Sequence, residues 1–457
     1  MSSLFASLSI TVHSLLAEQG ALGVTANNVS NINTPGFSRQ RPVLLEGTAV
    51  LFDPLVLGTG VVFGQPQSLR DSILELRLHE EAQQQGKSDA SLQALNQLQV
   101  LFTENASDIG SQLSIFFNSL NNLSSDPSSL PLRQGALTSA TNLASSFRST
   151  SAQLQEQRAN LDLNVVQQTE QINQLTRQIA VVNQQVSALE NVGRDASAFV
   201  DQRTQLLRQL SGLVDVRVID SGDNSIAVTT ANGTALVAAD RSFALSNRLG
   251  PTGVEHIFSQ GTDITAQLVS GSLAGVLSVR DQTIPGLLAN LDTLATGLSN
   301  ALNTSHLAGF DLNGNPGTNL FTAPPLGGVG AAGAIQVAIT DPSQIAASSD
   351  GSAGSNGNLA SLIAVAKQQV AGGQTSTNFY SGIVFSVGSA TANAAAEAQA
   401  SGTILRQLED QRGSISGVSL DEEASNLIRY QRAYEASAHV FATLSSLTET
   451  VINLGKG

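Results

Sequence analysis

Ala26-Asn27-Asn28-Val29-Ser30-Asn31-Ile32-Asn33-Thr34-Pro35-Gly36-Phe37-Ser38-Arg39-Gln40 closes the first helix of this chain, and its reading decides how everything after it is arranged. Upstream, Leu4, Leu8, Val12 and Leu15 recur at helical spacing, and Leu22 and Ala26 continue the seam. The Asn and Ser residues that follow lower helix propensity and Pro35-Gly36 supplies a turn, so a helix is predicted to stop near residue 30. At the other end, Ser416-Gly417-Val418-Ser419-Leu420-Asp421-Glu422-Glu423 opens a second amphipathic helix, predicted from about Leu420 to Leu454. Leu420, Leu427, Tyr434 and Phe441 recur there every seven residues, with Ala424, Ala438 and Ser445 between them. Large residues set against small ones are what a close helix contact requires. Helices at opposite ends share a core only if the chain folds back on itself. A lone pair of this kind is marginal, so both ends are expected to need neighbouring chains.

The residues between the ends read as nested layers. Val43, Leu45 and the Gly58 to Gly64 stretch look extended; helical patterning resumes near Leu69 and runs through Leu98, and another helix covers Ile109 to Leu123. Leu161, Val165, Gln168, Ile172, Leu175, Ile179, Val182, Val186 and Leu189 alternate steps of four and three, the mark of a helical seam. A helix from about Leu132 to Glu190 would be roughly 85 to 90 Å long, so a rod is expected. From Val214 the period changes to two, and Asn232-Gly233 between apolar runs predicts a hairpin with a type I′ turn. Helix returns from Ser272 to His306, kinked or split by Pro285; Gly309 to Gly333 reads as loop, with one candidate strand at Ile335 to Ile339. Further helices are expected near Asn358 and Thr377.

The expected fold class is therefore mainly α with a small β domain, an elongated nested α+β subunit. Residues 1–45 and 416–457 would form a terminal coiled-coil assembly domain. Residues 46–205 and 272–415 would form a helical rod, loop-rich at 309–345, and residues 206–271 a β-rich domain.

Composition limits what such a chain can do. At 457 residues it exceeds a single core, and at 4% aromatics with no Trp it favours long helices with small-residue seams. A net charge of −14 with 22 scattered basic residues argues against a nucleic-acid surface. With no cysteine there is no disulfide framework, Cys-ligated metal or thiol nucleophile. No basic segment precedes an apolar stretch at the N-terminus, and no apolar run is long enough to cross a bilayer, so any export is expected to use no cleaved signal.

No catalytic or ligand-binding motif in the sequence is complete. His13, His79, His256, His306 and His439 stand apart, with no helical i, i+4 pair. Asp311-Leu312-Asn313-Gly314-Asn315 opens like a calcium loop, but Pro316 and Thr322 occupy the positions that need Gly and Glu. Gly58, Gly60 and Gly64 miss the dinucleotide spacing, with Phe63 where the third glycine belongs. Asp421, Glu422 and Glu423 follow Ser419 at a helix start, where a capping box of Ser419 with Glu422 explains them better than paired catalytic carboxylates. The chain is expected to be no enzyme and to need no metal or cofactor.

The quoted motif resembles the N-terminal signature of bacterial flagellar rod, hook and hook-associated proteins, and its Pro-Gly-aromatic-Ser-Arg-Gln ending looks most like the hook-associated protein 1 (FlgK) family. Phe37 stands where that family more often has Tyr. Arg70-Asp71 with Leu76-Arg77-Leu78, Asp201-Gln202-Arg203 with Leu206-Leu207, and Gly271-Ser272-Leu273-Ala274-Gly275-Val276-Leu277 are similar to interior family segments in the same order. So are Ala308-Gly309-Phe310-Asp311 and, at the C-terminus, Ile415 to Glu423 followed by Tyr430-Gln431-Arg432-Ala433-Tyr434. A further outer β domain of the family is expected to be absent or reduced, because little sequence separates Phe310 from the next helix.

The resemblance implies a secreted structural subunit at the hook–filament junction, exported unfolded by the flagellar type III apparatus after a transient cytoplasmic stage. It implies further copies of itself, hook protein, hook-associated protein 3 and a cytoplasmic export chaperone on the C-terminal helix as partners, with no nucleic acid or membrane. Leu4, Leu8, Val12, Leu15, Leu420, Leu427, Tyr434 and Phe441, together with Asn27, Asn28, Asn31, Pro35, Gly36 and Phe37, are the expected assembly interface. Another flagellar rod or hook protein, or a type III-secreted coiled-coil binding protein, is the alternative.

Overall fold

The computed structural model describes residues 2–52, 55–103, 107–222 and 224–454. Residues 1 and 455–457, the outermost positions of the expected terminal domain, lie outside the described residues. The helices are α1 (Ser2–Ser30), α2 (Ser72–Leu101), α3 (Ile109–Ser125), α4 (Leu130–Glu190), α5 (Ser197–Leu213), α6 (Gly271–Ser278) and α7 (Ile284–Leu307). They continue with α8 (Ala331–Ala334), α9 (Gly357–Ala364), α10 (Ser376–Ser416) and α11 (Leu420–Leu454). Mainly α with small β sheets is the observed class. The chain divides into two compact units, residues 1–83, 171–244 and 402–457 in the first and 84–170 with 245–401 in the second.

In the first unit, α1 packs against α11. Between α1 and α2 the chain makes one long β arm: β1 (Gln40–Arg41), β2 (Leu44–Glu46) and β3 (Val50–Phe52) go out, β4 (Leu55–Leu57), β5 (Val61–Phe63) and β6 (Gln67–Ser68) return. The pairing is nested and antiparallel, Gln40 with Ser68, Leu44 with Phe63 and Val50 with Leu57. Extended backbone is foreseeable here from Val43 and Leu45; the hairpin that joins it is not. β5 lies against α1, and the approach is close enough that a Cβ on Gly20 would sit 2.7 Å from the Phe63 ring.

The same unit holds a four-stranded antiparallel sheet in the order β10 (Arg241–Ser242), β9 (Ala235–Ala238), β8 (Ile226–Thr229), β7 (Arg217–Asp220). The expected Asn232-Gly233 hairpin joins β8 to β9, but only Gly233 has a positive φ, 86°, and its amide donates to the Thr230 carbonyl at 2.9 Å. This is a longer loop ending in a left-handed Gly, in place of the two-residue type I′ turn. Asn183 of α4 fastens the sheet by donating to the carbonyls of Ile226 and Ala239, both at 2.9 Å.

The second unit contains a separate sheet, β11 (Leu245–Leu249), β12 (Glu255–Ser259) and β13 (Thr262–Asp263). The stretch expected as one β-rich domain at 206–271 thus contributes one sheet to each compact unit. Ahead of Pro285 the helix widens into a π-helical turn, Val279–Thr283, which absorbs the missing proline N–H between α6 and α7. Phe116, Phe147, Leu291, Leu298 and Phe321 are buried in the second unit, all 1% exposed or less, and the Phe116 and Phe321 rings meet edge to face with centroids 6.2 Å apart. The candidate strand at Ile335 to Ile339 reduces to a single bridge between Phe321 and Val337, preceded by the short helix α8.

The long loop after α7 is ordered by side chains of that helix. Asn303 donates to the Phe321 carbonyl and accepts from the Phe321 amide, each at 2.9 Å. His306 donates through Nδ1 to the Thr318 carbonyl and accepts the Ala346 amide at Nε2. Burial holds this imidazole neutral, its pKa below the ordinary value.

Candidate assembly interface

The quoted motif stops α1 by giving its last turn other partners. The Thr34 amide turns back to the Asn31 carbonyl at 2.9 Å, the Phe37 amide to the Thr34 carbonyl, and Gly36 takes the left-handed φ of 83° that the reversal needs. The chain then returns beside the helix it has just left. Asn28, 1% exposed, accepts from the Gln40 amide at 2.9 Å and donates to the Gln40 carbonyl at 2.8 Å. A side-chain amide thereby stands in for a strand partner.

The same asparagine reaches the opposite end of the chain. Its Nδ2 donates to Glu423 Oε2 at 3.1 Å, and Arg39 Nε donates to Glu423 Oε1 at 2.7 Å. Arg39 also pairs with Glu422 at 2.5 Å, and its amide donates to the Ser416 carbonyl at 2.9 Å. Acids read from sequence as a capping box are thus used across the two chain ends. A buried carboxylate is tolerable because it receives two donors, one of them charged.

Three further links fasten this clasp to the rest of the first unit. Asp201 on α5 accepts from the Ser38 hydroxyl at 2.7 Å, the Ser38 amide at 3.1 Å and Arg70 at 2.7 Å. Arg412 on α10 donates to the Gly36 carbonyl at 2.8 Å and to Glu75 at 2.6 Å, and Arg208 donates to the other oxygen of Glu75 at 3.1 Å. Beside Glu75 and Arg208 lies His79, 6% exposed, with Nε2 lacking a hydrogen-bond partner. Burial pushes its pKa down to about 4, with Glu75 opposing and Arg208 reinforcing the shift.

Beyond the clasp, α1 and α11 run antiparallel: the Ser14 and Ser437 hydroxyls lie 3.1 Å apart while Asn28 meets Glu423. The covered face of α1 is Thr11, Ala17, Ala21, Val24, Thr25 and Asn28. Leu4, Leu8 and Leu15 are half-buried and Val12 is 37% exposed. On α11, Leu427 and Phe441 are half-buried, while Leu420 and Tyr434 are exposed and the covered residues are Glu423 and Tyr430. Of the motif residues, Asn28 is in the clasp; the Asn31 side chain bonds to Asn27 and Thr34 in the turn; Gly36 and Phe37 are half-buried; Asn27 and Pro35 face outward. Ser38, Arg39, Gln40 and Glu423, which do much of the joining, were not foreseeable as such from helical period, although a basic residue ending one motif and acids opening the other are the available signal.

The outward flanks of the pair are apolar towards its free end. Phe5, Val12 and Leu16 of α1 and Val440, Leu447, Val451 and Leu454 of α11 are exposed. Residues 2–17 contain no Asp, Glu, Lys or Arg, and residues 436–454 contain only Glu449. In a chain of net charge −14 this is a local absence of the charge that keeps surfaces apart.

Two acids outside the clasp, Asp311 and Asp292, have structural partners. The Asp311 carboxylate of the calcium-like loop accepts the Asn315 side-chain amide at 3.0 Å and the Asn315 and Asn313 backbone amides, both at 2.8 Å, which against its partial burial hold its pKa low. Asp292, which lines a cavity of about 670 Å³, accepts from the Gly330 and Ala332 amides. No group of three or more metal-ligating side chains comes together among the described residues, and no helix there is long and apolar enough to cross a membrane.

Comparison with known proteins bears on the whole chain. A family model described as the flagellar hook-associated protein FlgK helical domain matches residues 95–321. The flagellar basal body rod FlgEFG protein C-terminal model matches 411–454, and the flagella basal body rod protein model matches 12–37. Flagellar hook-associated protein 1 of Bacillus subtilis is 30% identical, with 99% of each chain covered. The protein of the same name from Escherichia coli is 27% identical over 96% of this chain and 98% of its own. In fold, the flagellar hook junction protein FlgK from Burkholderia pseudomallei aligns with a TM-score of 0.68 at 16% identity, covering 74% of this chain and all of that one.

Proposed function

The chain belongs to the flagellar hook-associated protein 1 family, and on that premise we propose that its paired ends are what joins it to its neighbours. It is a structural subunit of the bacterial flagellum, of the hook–filament junction. Segments 1–45 and 416–457 act as the assembly domain, and residues 46–205, 272–415 and 206–271 are the body they carry. The observation that supports this best is the apolar, almost uncharged flank of the α1–α11 pair, which one chain leaves uncovered. Covering one such large side chain contributes about 1.5 to 3 kcal/mol, so several per subunit suffice to drive association.

The partners on this reading are further copies of the chain, hook protein on one side and hook-associated protein 3 on the other. A cytoplasmic chaperone holds α11 before type III export, because the same apolar flank would otherwise associate prematurely. Complementation of a deletion strain tests the reading. The wild-type chain should convert free hooks into hooks with filaments. Val440→Asp/Leu447→Asp should be exported and fold yet leave hooks bare, whereas normal filaments with that variant would contradict it.

A further inference from the structure

The second unit holds a cavity of about 890 Å³ whose walls come from α2, α4, the β12–β13 hairpin and the α6–α7 helix pair. Its charged lining residues are Lys87, Arg158, His256, Asp263 and Asp281. Both acids are already matched. Asp263 Oδ2 lies 2.7 Å from His256 Nδ1, and its Oδ1 accepts from the Thr265 hydroxyl at 2.7 Å and amide at 2.9 Å. Asp281 accepts from two nitrogens of Arg280, at 2.8 and 2.9 Å.

The two cations are not matched in this way. Lys87 donates to a neutral acceptor, the Val269 carbonyl, at 3.0 Å. Arg158 is half-buried and forms no ion pair with an acid among the described residues, and its Nε is sealed from water without a hydrogen-bond partner. A guanidinium that has lost water and gained no acceptor is a standing cost, which an oxyanion accepting from its two Nη groups offsets. In a chain of net charge −14, such a cavity is a local reversal of sign. The lining is otherwise largely apolar, with Leu268, Ala274, Leu277 and Pro285. A fitting occupant therefore brings an anionic head and an apolar body, and the volume is that of a small-molecule site. We propose that this cavity binds a small amphiphilic oxyanion, a phosphate or carboxylate group on a short alkyl body, with Arg158 and Lys87 holding the head.

The lining residues all belong to the second unit, so binding is measured on the full-length monomer, apart from assembly. Hexyl phosphate and hexanoate are titrated calorimetrically at constant ionic strength. At least one should bind at one site per chain, and binding of only one of them identifies the head group. Each methylene taken out of water is worth about fourfold in affinity, so inorganic phosphate or acetate should bind at least about tenfold more weakly than its hexyl counterpart. Arg158→Gln should weaken binding at least about tenfold and Lys87→Gln at least about threefold. Arg177→Gln, at an exposed position of α4 in the first unit, should leave it unchanged. Failure of both probes to bind, equal affinity for hexanol, or undiminished binding in Arg158→Gln overturns the proposal. If circular dichroism shows that Arg158→Gln has lost helix, the wild-type chain is treated with phenylglyoxal and its arginines are followed by mass spectrometry. Saturating probe should then slow modification of Arg158 at least about fivefold relative to Arg177. Equal slowing at both positions, or none, overturns the site.

Discussion

Ser38 and Asp201 are joined twice, by a hydroxyl-to-carboxylate bond of 2.7 Å and an amide-to-carboxylate bond of 3.1 Å. The residue just past the turn of the N-terminal motif is thereby tied to α5, and the path of the returning strand is set by one acid. Asp201→Ala leaves the Ser38 groups and Arg70 without that acceptor and should cost about 2 to 4 kcal/mol. Calorimetry should show a markedly lower Tm. Asp201→Asn, which can still accept from Ser38, should lose less than half as much; equal losses would mean that the ion pair with Arg70 dominates.

Acid should weaken the first unit through His79. Its pKa is about 4 in the folded chain against an ordinary 6.5, so between those values the unfolded chain binds the proton and the folded chain does not. Stability is then complete above about pH 6.5, falls as pH drops towards about 4, and is level below that as far as this group is concerned. The fall amounts to about 3 kcal/mol. Urea unfolding at stepped pH should show that slope in the wild type and a shallower one in His79→Leu, with the remainder shared by His306, whose shift has the same sense.

Gly20→Ala should weaken the contact of the β arm with α1. A Cβ there meets the Phe63 ring at 2.7 Å, and overpacking of this kind costs about 1 to 3 kcal/mol, more than the helix propensity gained. The second variant Gly20→Ala/Phe63→Leu should recover most of the loss. If Gly20→Ala alone raises the Tm, the arm yields at no cost and the close packing has no role.

What could be read from the sequence was local. Leu161 to Leu189 repeat inside one helix, and the end of α1 follows from residues next to it, so α4, α1 and α11 are legible from their own period. The β arm is not, because its strands are two or three residues each, interrupted by glycines, and their pairing is settled only by partners across the hairpin. Asn232-Gly233 marks the right hairpin, yet the turn type depends on Thr230 and Thr234, one bonding through its carbonyl and the other through its amide. At the chain ends, heptads identify apolar faces but not which face is covered: Ala17 and Ala21 are covered while Leu16 stands out. Arg39 and Glu423 are 384 residues apart, and a contact at that separation has no local signature.

The central claim, that the outward apolar flank of the α1–α11 pair is covered by neighbouring subunits, is tested most directly by labelling. The absence of native cysteine makes single Val440→Cys and Leu447→Cys variants specific targets for a maleimide. Both positions are about half exposed in one chain, at 51% and 48%, so the monomer should label readily. In flagella assembled from the same variants, labelling should fall at least about tenfold, as expected of side chains taken out of water. Labelling of assembled flagella at the monomer's rate would contradict the claim.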